Sequence, residues 1–187
     1  GLDHLLFVLC LLLLLDGLWP LLKTITAFTL AHSLTLACAV LGWFAPAAAP
    51  IEILIALSIV MLAREVVLKQ RQGAEPTGGI PAGHTTSLLQ RRPWLVALAF
   101  GFIHGFGFAG ALGELGLARA DVPAALLFFN LGVEAGQIGF ILAVLALRQM
   151  LVQTARQLQR PAELALAYGL GGVALYWFIE RLPAVLA

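Results

Sequence analysis

The chain has 187 residues, 61% of them hydrophobic and 11% charged, with a mean hydropathy of +0.97. Soluble domains sit at roughly 45–50% apolar and about 25% charged, so this composition excludes an ordinary soluble domain and predicts an integral membrane protein. The net charge of +1, with no basic stripe, argues against a nucleic-acid partner.

Apolar runs of about 17–25 residues match the length a helix needs to cross the hydrocarbon core. Six are found, at roughly 2–19, 22–44, 50–68, 94–113, 122–147 and 162–182. The expected fold is therefore all-α, a single six-helix transmembrane domain over 1–187. The opening GLDHLL has no basic n-region and is not read as a removable signal peptide. A chain that begins at Gly1 inside an apolar run suggests a trimmed N-terminus, with an upstream periplasmic region possible.

Pro20, Pro50, Pro93, Pro123 and Pro161 fall at or near segment starts, where proline is tolerated in a first turn. Segment 69–93, rich in Gly, Pro and polar residues, reads as a flexible loop, and His84 within it as a solvated side chain. Lys and Arg fix the orientation. Lys23, Arg64, Lys69, Arg71, Arg91, Arg92, Arg148, Arg156 and Arg160 fall on one face, against Arg119 and Arg181 on the other. The basic face is expected to be cytoplasmic, with both termini outside, as in a bacterial inner membrane.

Trp19, Trp43, Trp94 and Trp177 lie near helix ends, as interfacial aromatics do. Gly101, Gly105 and Ala109 on the fourth helix, and Gly132 and Gly136 on the fifth, form small-residue surfaces that permit close helix contact. Cys10 and Cys38 lie inside apolar runs, where free cysteine behaves as a small hydrophobe. Neither a disulfide nor a thiolate metal cage is expected.

The segment AFTLAHSLTLACA (27–39) aligns without gaps to AFGFIHGFGFAGA (99–111), matching His32 to His104. Both helices leave the basic face, so the second and fourth helices form a parallel repeat. At about 1.5 Å per residue, both histidines lie near the bilayer midplane. Glu134 on the fifth helix reaches a similar level. With Asn130 and Gln137 it forms a polar stripe spaced i, i+4, i+7. Asp3 and His4 add a carboxylate and an imidazole at the outer end of the first helix.

Ionisable groups in a bilayer are costly and usually face the bundle interior, which makes them functional candidates. Each also has a plain structural reading. A lone histidine can be a core residue bonded to a carbonyl, and Asp3 can serve the N-terminus of its helix. Two histidines at one depth with a carboxylate level with them favour a shared site. Thr29 and Thr35 flank His32 on the helical wheel and could orient its ring. Ser33 points about 100° away from His32, too far round to form a nucleophile pair. Tyr168, in the inner half of the sixth helix, could reach the cavity. Glu52 reads as interfacial, and Arg64–Glu65 and Glu180–Arg181 as local pairs at helix ends.

Three imidazoles with one or two carboxylates form a hard-to-borderline N/O ligand set, and imidazole suits Zn, Cu, Fe and Ni among divalent transition metals. The candidate metal set is His4, His32, His104, Asp3 and Glu134, supported by Asn130, Gln137, Thr29, Thr35 and Ser33. A secondary transporter or permease would use such a set to load and release the ion. An intramembrane zinc-dependent hydrolase would hold Zn²⁺ on the histidines and activate its water with Asp3 or Glu134. The partners expected are thus a metal ion as substrate and the lipid bilayer.

The motifs GLDHLLFVL (1–9), FTLAHSLTLA (28–37), IEILIALSI (51–59), GFIHGFGFAGAL (101–112) and FNLGVEAGQ (129–137) together resemble the HupE/UreJ family. These membrane proteins are associated with hydrogenase and urease maturation and regarded as nickel transporters. The resemblance implies a metal-permease role and maps Asp3, His4, His32, His104 and Glu134 onto the family's polar intramembrane positions. The nickel permeases carry a further histidine just upstream of G-x-D-H, and here the chain starts at that glycine. The LLF and AHS wording is closer to a second branch.

Overall fold

The computed structural model describes residues 1–44, 46–72, 87–113 and 121–186. Among these it is all-helical, with no strand. The elements in chain order are α1 (Leu2–Leu14), α2 (Leu18–Val40), α3 (Ala48–Gln72), a one-turn α4 (Leu88–Arg91), α5 (Pro93–Gly113), α6 (Val122–Ala155), a 3₁₀ turn (Arg156–Leu158), α7 (Gln159–Arg181) and α8 (Pro183–Leu186). His84, Arg119 and residues 73–86 of the expected loop lie outside the described residues, as do the side chains of Ala109 and Ala111.

The first apolar run is broken earlier than its hydropathy implies. Helix α1 stops at Leu14, Leu15 is extended, and Gly17 takes φ 99°, a left-handed conformation that L side chains avoid. Asp16, at this break, pairs with Lys69 at 2.8 Å. Helix α3 runs past the apolar segment to Gln72, carrying Lys69 and Arg71 in its last turn, where cations complement the helix dipole. Helix α6 is longest, at 34 residues or about 50 Å, so its C-terminal turns extend beyond the expected span ending at 147.

Side-chain pairings set the helix directions. Gly101 packs against Phe28 and Gly105 against His32, so α2 and α5 run parallel, in a register within one residue of the sequence echo. A Cβ at Gly101 would run into the Phe28 carbonyl, and one at Gly105 into the His32 carbonyl and the Thr35 hydroxyl. This absence of side chains lets the two backbones touch, and α2–α5 is the most extensive helix pair. Ser58 meets His104, and Ile55 and Ile51 meet Gly107, so α3 runs antiparallel to α5. Gln70–Glu163 at one end and Glu52–Arg181 at the other make α3 antiparallel to α7. Lys69 also donates to the Leu14 carbonyl, aligning the C-terminal ends of α1 and α3.

One end of the bundle therefore gathers most of the ionic contacts. There Glu65, nearly buried, accepts from Arg64 at 3.0 Å, Ser87 at 2.7 Å and Gln90 at 3.4 Å, holding α4 against α3. Glu163 accepts from Gln70, Arg148 and Gln159. Tyr168 belongs to this end too. Its hydroxyl pairs with Arg71 on an exposed surface, away from the bundle interior. Arg181 reaches across to Glu52 at the opposite end rather than to its neighbour Glu180, which accepts from Tyr176.

Among the described residues, two helical stretches are long and apolar enough to cross a membrane. They are Leu18–Val40, 23 residues, and the run Val122–Val185, 64 residues, which contains both α6 and α7. Leu2–Leu14 and Pro93–Phe108 are shorter apolar helices. Helix α6 leaves Leu127, Phe128, Leu131, Ile138 and Leu142 exposed. Exposed apolar residues spaced in this way along one helix are a surface suited to lipid or to a protein partner.

Candidate metal centre

The core packs Phe7, Leu11, Phe28, Ile59, Leu62 and Ala97 between α1, α2, α3 and α5. Three histidines sit against this core. His4 comes from the first turn of α1, His32 from the middle of α2, and His104 from the middle of α5. They are 5%, 1% and 0% exposed. The His4 ring stands between the other two, 4.9 Å from His32 and 5.1 Å from His104 between centroids. Its plane lies nearly perpendicular to both. Phe28 and Phe108 close the cluster, each within 6.1 Å of more than one imidazole.

The hydrogen bonding of this cluster is incomplete. Both ring nitrogens of His4, both of His32 and Nδ1 of His104 are buried without a protein partner. An unsatisfied buried polar group costs about 1–3 kcal/mol, so five in one place are a costly concentration of unpaired ring nitrogens. The sixth nitrogen, His104 Nε2, lies 3.1 Å from Ser58 Oγ. Ser58 already donates its one proton to the Ile55 carbonyl at 2.7 Å, so its oxygen must accept from Nε2–H. A neutral imidazole carries one proton. His104 is thereby held as the Nε2–H tautomer, with its Nδ1 lone pair free.

A cavity of about 520 Å³ opens beside the cluster, bounded by α1, α2, α6 and Phe108 of α5. His4 and His32 line it, as does Gln137 of α6. Gln137 Oε1 accepts from Thr29 Oγ1 at 3.4 Å, and its Nε2 is buried without a partner. Gly132 and Gly136, expected to form a close helix contact, face open space and line the cavity instead. The fifth segment thus uses its glycines to make room, and the fourth uses them to remove it.

The other candidate residues are placed less centrally. Helix α6 presents Phe129, Val133, Gly136 and Phe140 to the cavity. Of the expected stripe only Gln137 reaches the lining, while Asn130 and Glu134 are half-buried beside it. Asn130 Oδ1 is nonetheless buried and unpartnered. Asp3 is half-buried next to Gly1 at the cavity edge. Thr35 donates to the Ala31 and His32 carbonyls and Ser33 to the Thr29 carbonyl, so neither bonds the His32 ring. Packing by Phe28, Phe108 and His4 orients that ring instead. Among the described residues, no three His, Cys, Asp or Glu side chains stand as a ready-made cation cage. The imidazoles meet edge to face, with their lone pairs not convergent.

Sequence reasoning did not single out Ser58. Its signal was available, since it is the one hydroxyl between Glu52 and Arg64 in an otherwise apolar helix.

A family model described as HupE / UreJ protein matches residues 1–181. The chain belongs to the HupE/UreJ family. The match is to the family's second branch, in agreement with the wording of the sequence motifs. HupE/UreJ proteins are membrane-associated and are connected with accessory transport of nickel and cobalt. No curated protein and no solved structure matches this HupE/UreJ chain.

Proposed function

We propose that this HupE/UreJ protein is a secondary permease for a divalent transition metal of the nickel class, and that His4, His32 and His104 are its intramembrane binding site. The observation that carries this reading is the meeting of three imidazoles from three helices, with five of their six ring nitrogens unpartnered. Two further features support it. Metal–nitrogen bonds of about 2.0–2.1 Å put ring centroids around a shared ion about 5 Å apart, close to the observed 4.9 and 5.1 Å. Loading then requires turning the His4 and His32 rings about their Cβ–Cγ bonds to aim their lone pairs, while Ser58 holds His104. A site that must be turned to bind suits cargo to be released again better than a resident ion.

In this reading α1, α2, α3, α5, α6 and α7 form a six-helix transmembrane bundle, with α1 the short member at 13 residues. The end bearing Lys69, Arg71, Arg148 and Arg160 is cytoplasmic, by the positive-inside rule. Helices α2 and α5 are the halves of a parallel repeat, with the histidines at its interface, a common location for transporter sites. Asp3 and Glu134 are carboxylates at the border of the site, with Asn130, Gln137, Thr29, Thr35 and Ser33 in support. The zinc-dependent hydrolase reading gives Asp3 or Glu134 the task of activating a metal-bound water. Neither Asp3 nor Glu134 lines the cavity, which favours the permease.

Elemental analysis after nickel loading and gel filtration tests the site. Near-stoichiometric metal is expected in the wild type, and loss of it in His32→Ala. Equal metal in both proteins would place the ion elsewhere.

A further inference from the structure

We propose that the cargo enters the α1–α2–α6 cavity as a charge-neutral chelate, a divalent cation already carrying the carboxylates of a small amino acid or organic acid. The proposal rests on the permease reading, and it concerns the form in which the ion is taken.

Charge comes first. No acidic side chain lines the cavity among the described residues. The three imidazoles supply lone pairs but no negative charge when they ligate. A bare divalent ion would therefore meet an apolar wall that offers it no anionic ligand, an unfavourable condition for an ion inside a membrane. Asp3 and Glu134 are half-buried and stand outside that lining, so neither carboxylate is offered as a direct ligand from the cavity wall. A chelate with two carboxylates brings its own neutralisation.

The polar group on the facing wall has the matching sign. Gln137 lines the cavity and is 2% exposed, its oxygen is occupied by Thr29, and its Nε2 is a buried donor without a protein partner. An N–H group repels a cation and receives an anionic oxygen, and hydrogen bonds to charged acceptors are the strong ones. His4 and His32 on one side and Gln137 on the other are thus complementary to two parts of one ligand. Imidazole nitrogens take the metal's open positions by displacing water, and the amide takes a carboxylate oxygen.

Size and lining agree. Six waters at about 30 Å³ each give a hydrated ion of about 180 Å³, a third of the 520 Å³ present. The remaining wall is hydrocarbon, from Phe108, Phe129, Val133 and Phe140. That surface suits the carbon skeleton of an organic ligand and not a shell of water.

The test uses the full chain in lipid nanodiscs and measures retained radionickel at fixed total nickel, supplied as nickel chloride or with two equivalents of glycine. Glycine lowers the free-ion concentration, so a protein that binds only the bare ion retains less when it is added. The chelate account expects the opposite, a gain of about tenfold in apparent affinity, the worth of one charge-assisted hydrogen bond. Gln137→Leu abolishes the gain, and Gln137→Glu, which puts a carboxylate on the wall, inverts it. A His32-dependent retention that glycine only diminishes would overturn the chelate while leaving the permease intact. A gain from glycine that survives in both Gln137 variants would also overturn it. No His32-dependent retention in either arm would overturn both readings.

Discussion

His104 Nε2 lies 3.1 Å from the hydroxyl oxygen of Ser58, whose own proton is already donated to the Ile55 carbonyl. The chain of donation fixes which nitrogen of His104 keeps its lone pair, and it ties α5 to α3 at the level of the histidine cluster. Partners of this kind behind a metal-binding histidine typically change affinity by about 10–100-fold when removed. Ser58→Ala is expected to weaken nickel retention about tenfold, with Ser58→Thr restoring most of it. Equilibrium dialysis of both variants checks this, and equal affinity in Ser58→Ala and wild type would show that the tautomer is immaterial.

The contact between α2 and α5 depends on two positions without side chains. Gly105→Ala forces a methyl group against the His32 carbonyl and the Thr35 hydroxyl, and overpacking of this kind costs about 1–3 kcal/mol. Gly139, with nothing near its missing Cβ, is the contrast. Gly139→Ala should be neutral or slightly stabilising, because alanine is favoured in a helix by about 1 kcal/mol. Thermal unfolding in detergent should separate the two variants in that order.

Glycines on α6 answer to the cavity and not to packing. Gly132→Leu and Gly136→Leu place side chains in open space that lines the site. They are expected to leave the melting temperature near wild type and reduce metal uptake to background. A large fall in melting temperature would instead mean that α6 packs closely there.

At the basic end, Glu65 is the acceptor for Arg64, Ser87 and Gln90. Glu65→Ala leaves Ser87 and Gln90 without their partner and is expected to cost about 2 kcal/mol, the range for hydrogen bonds to a charged group. Asp16 pairs with Lys69 from an exposed position, where an ion pair is worth about 0–1 kcal/mol. Asp16→Ala should shift chemical denaturation little by comparison.

Much of this arrangement is readable from the sequence because apolar runs and charge breaks set helix positions directly. The break after Leu14 is less visible, since Asp16 and Gly17 interrupt a run whose mean hydropathy stays high. The common level of His32 and His104 follows from their matched places in two similar segments. The rotation of α6 does not follow, because i, i+4, i+7 spacing defines a stripe without saying where it faces. That stripe delivers Gln137 to the cavity and leaves Glu134 beside it. Thr29 and Thr35 have the right positions to support His32, yet hydroxyls inside helices find nearby carbonyls or side chains first. Thr35 takes the Ala31 and His32 carbonyls, and Thr29 takes Gln137. Ser58 acts across a helix interface, and that pairing exists only once α3 and α5 are packed.

Uptake of radionickel into proteoliposomes, comparing wild type with His32→Ala and His104→Ala, tests the permease most directly. Time-dependent accumulation by the wild type and background levels in both variants are the predicted result. Background accumulation by all three proteins, or equal accumulation above background, would contradict a transport site at the histidine cluster.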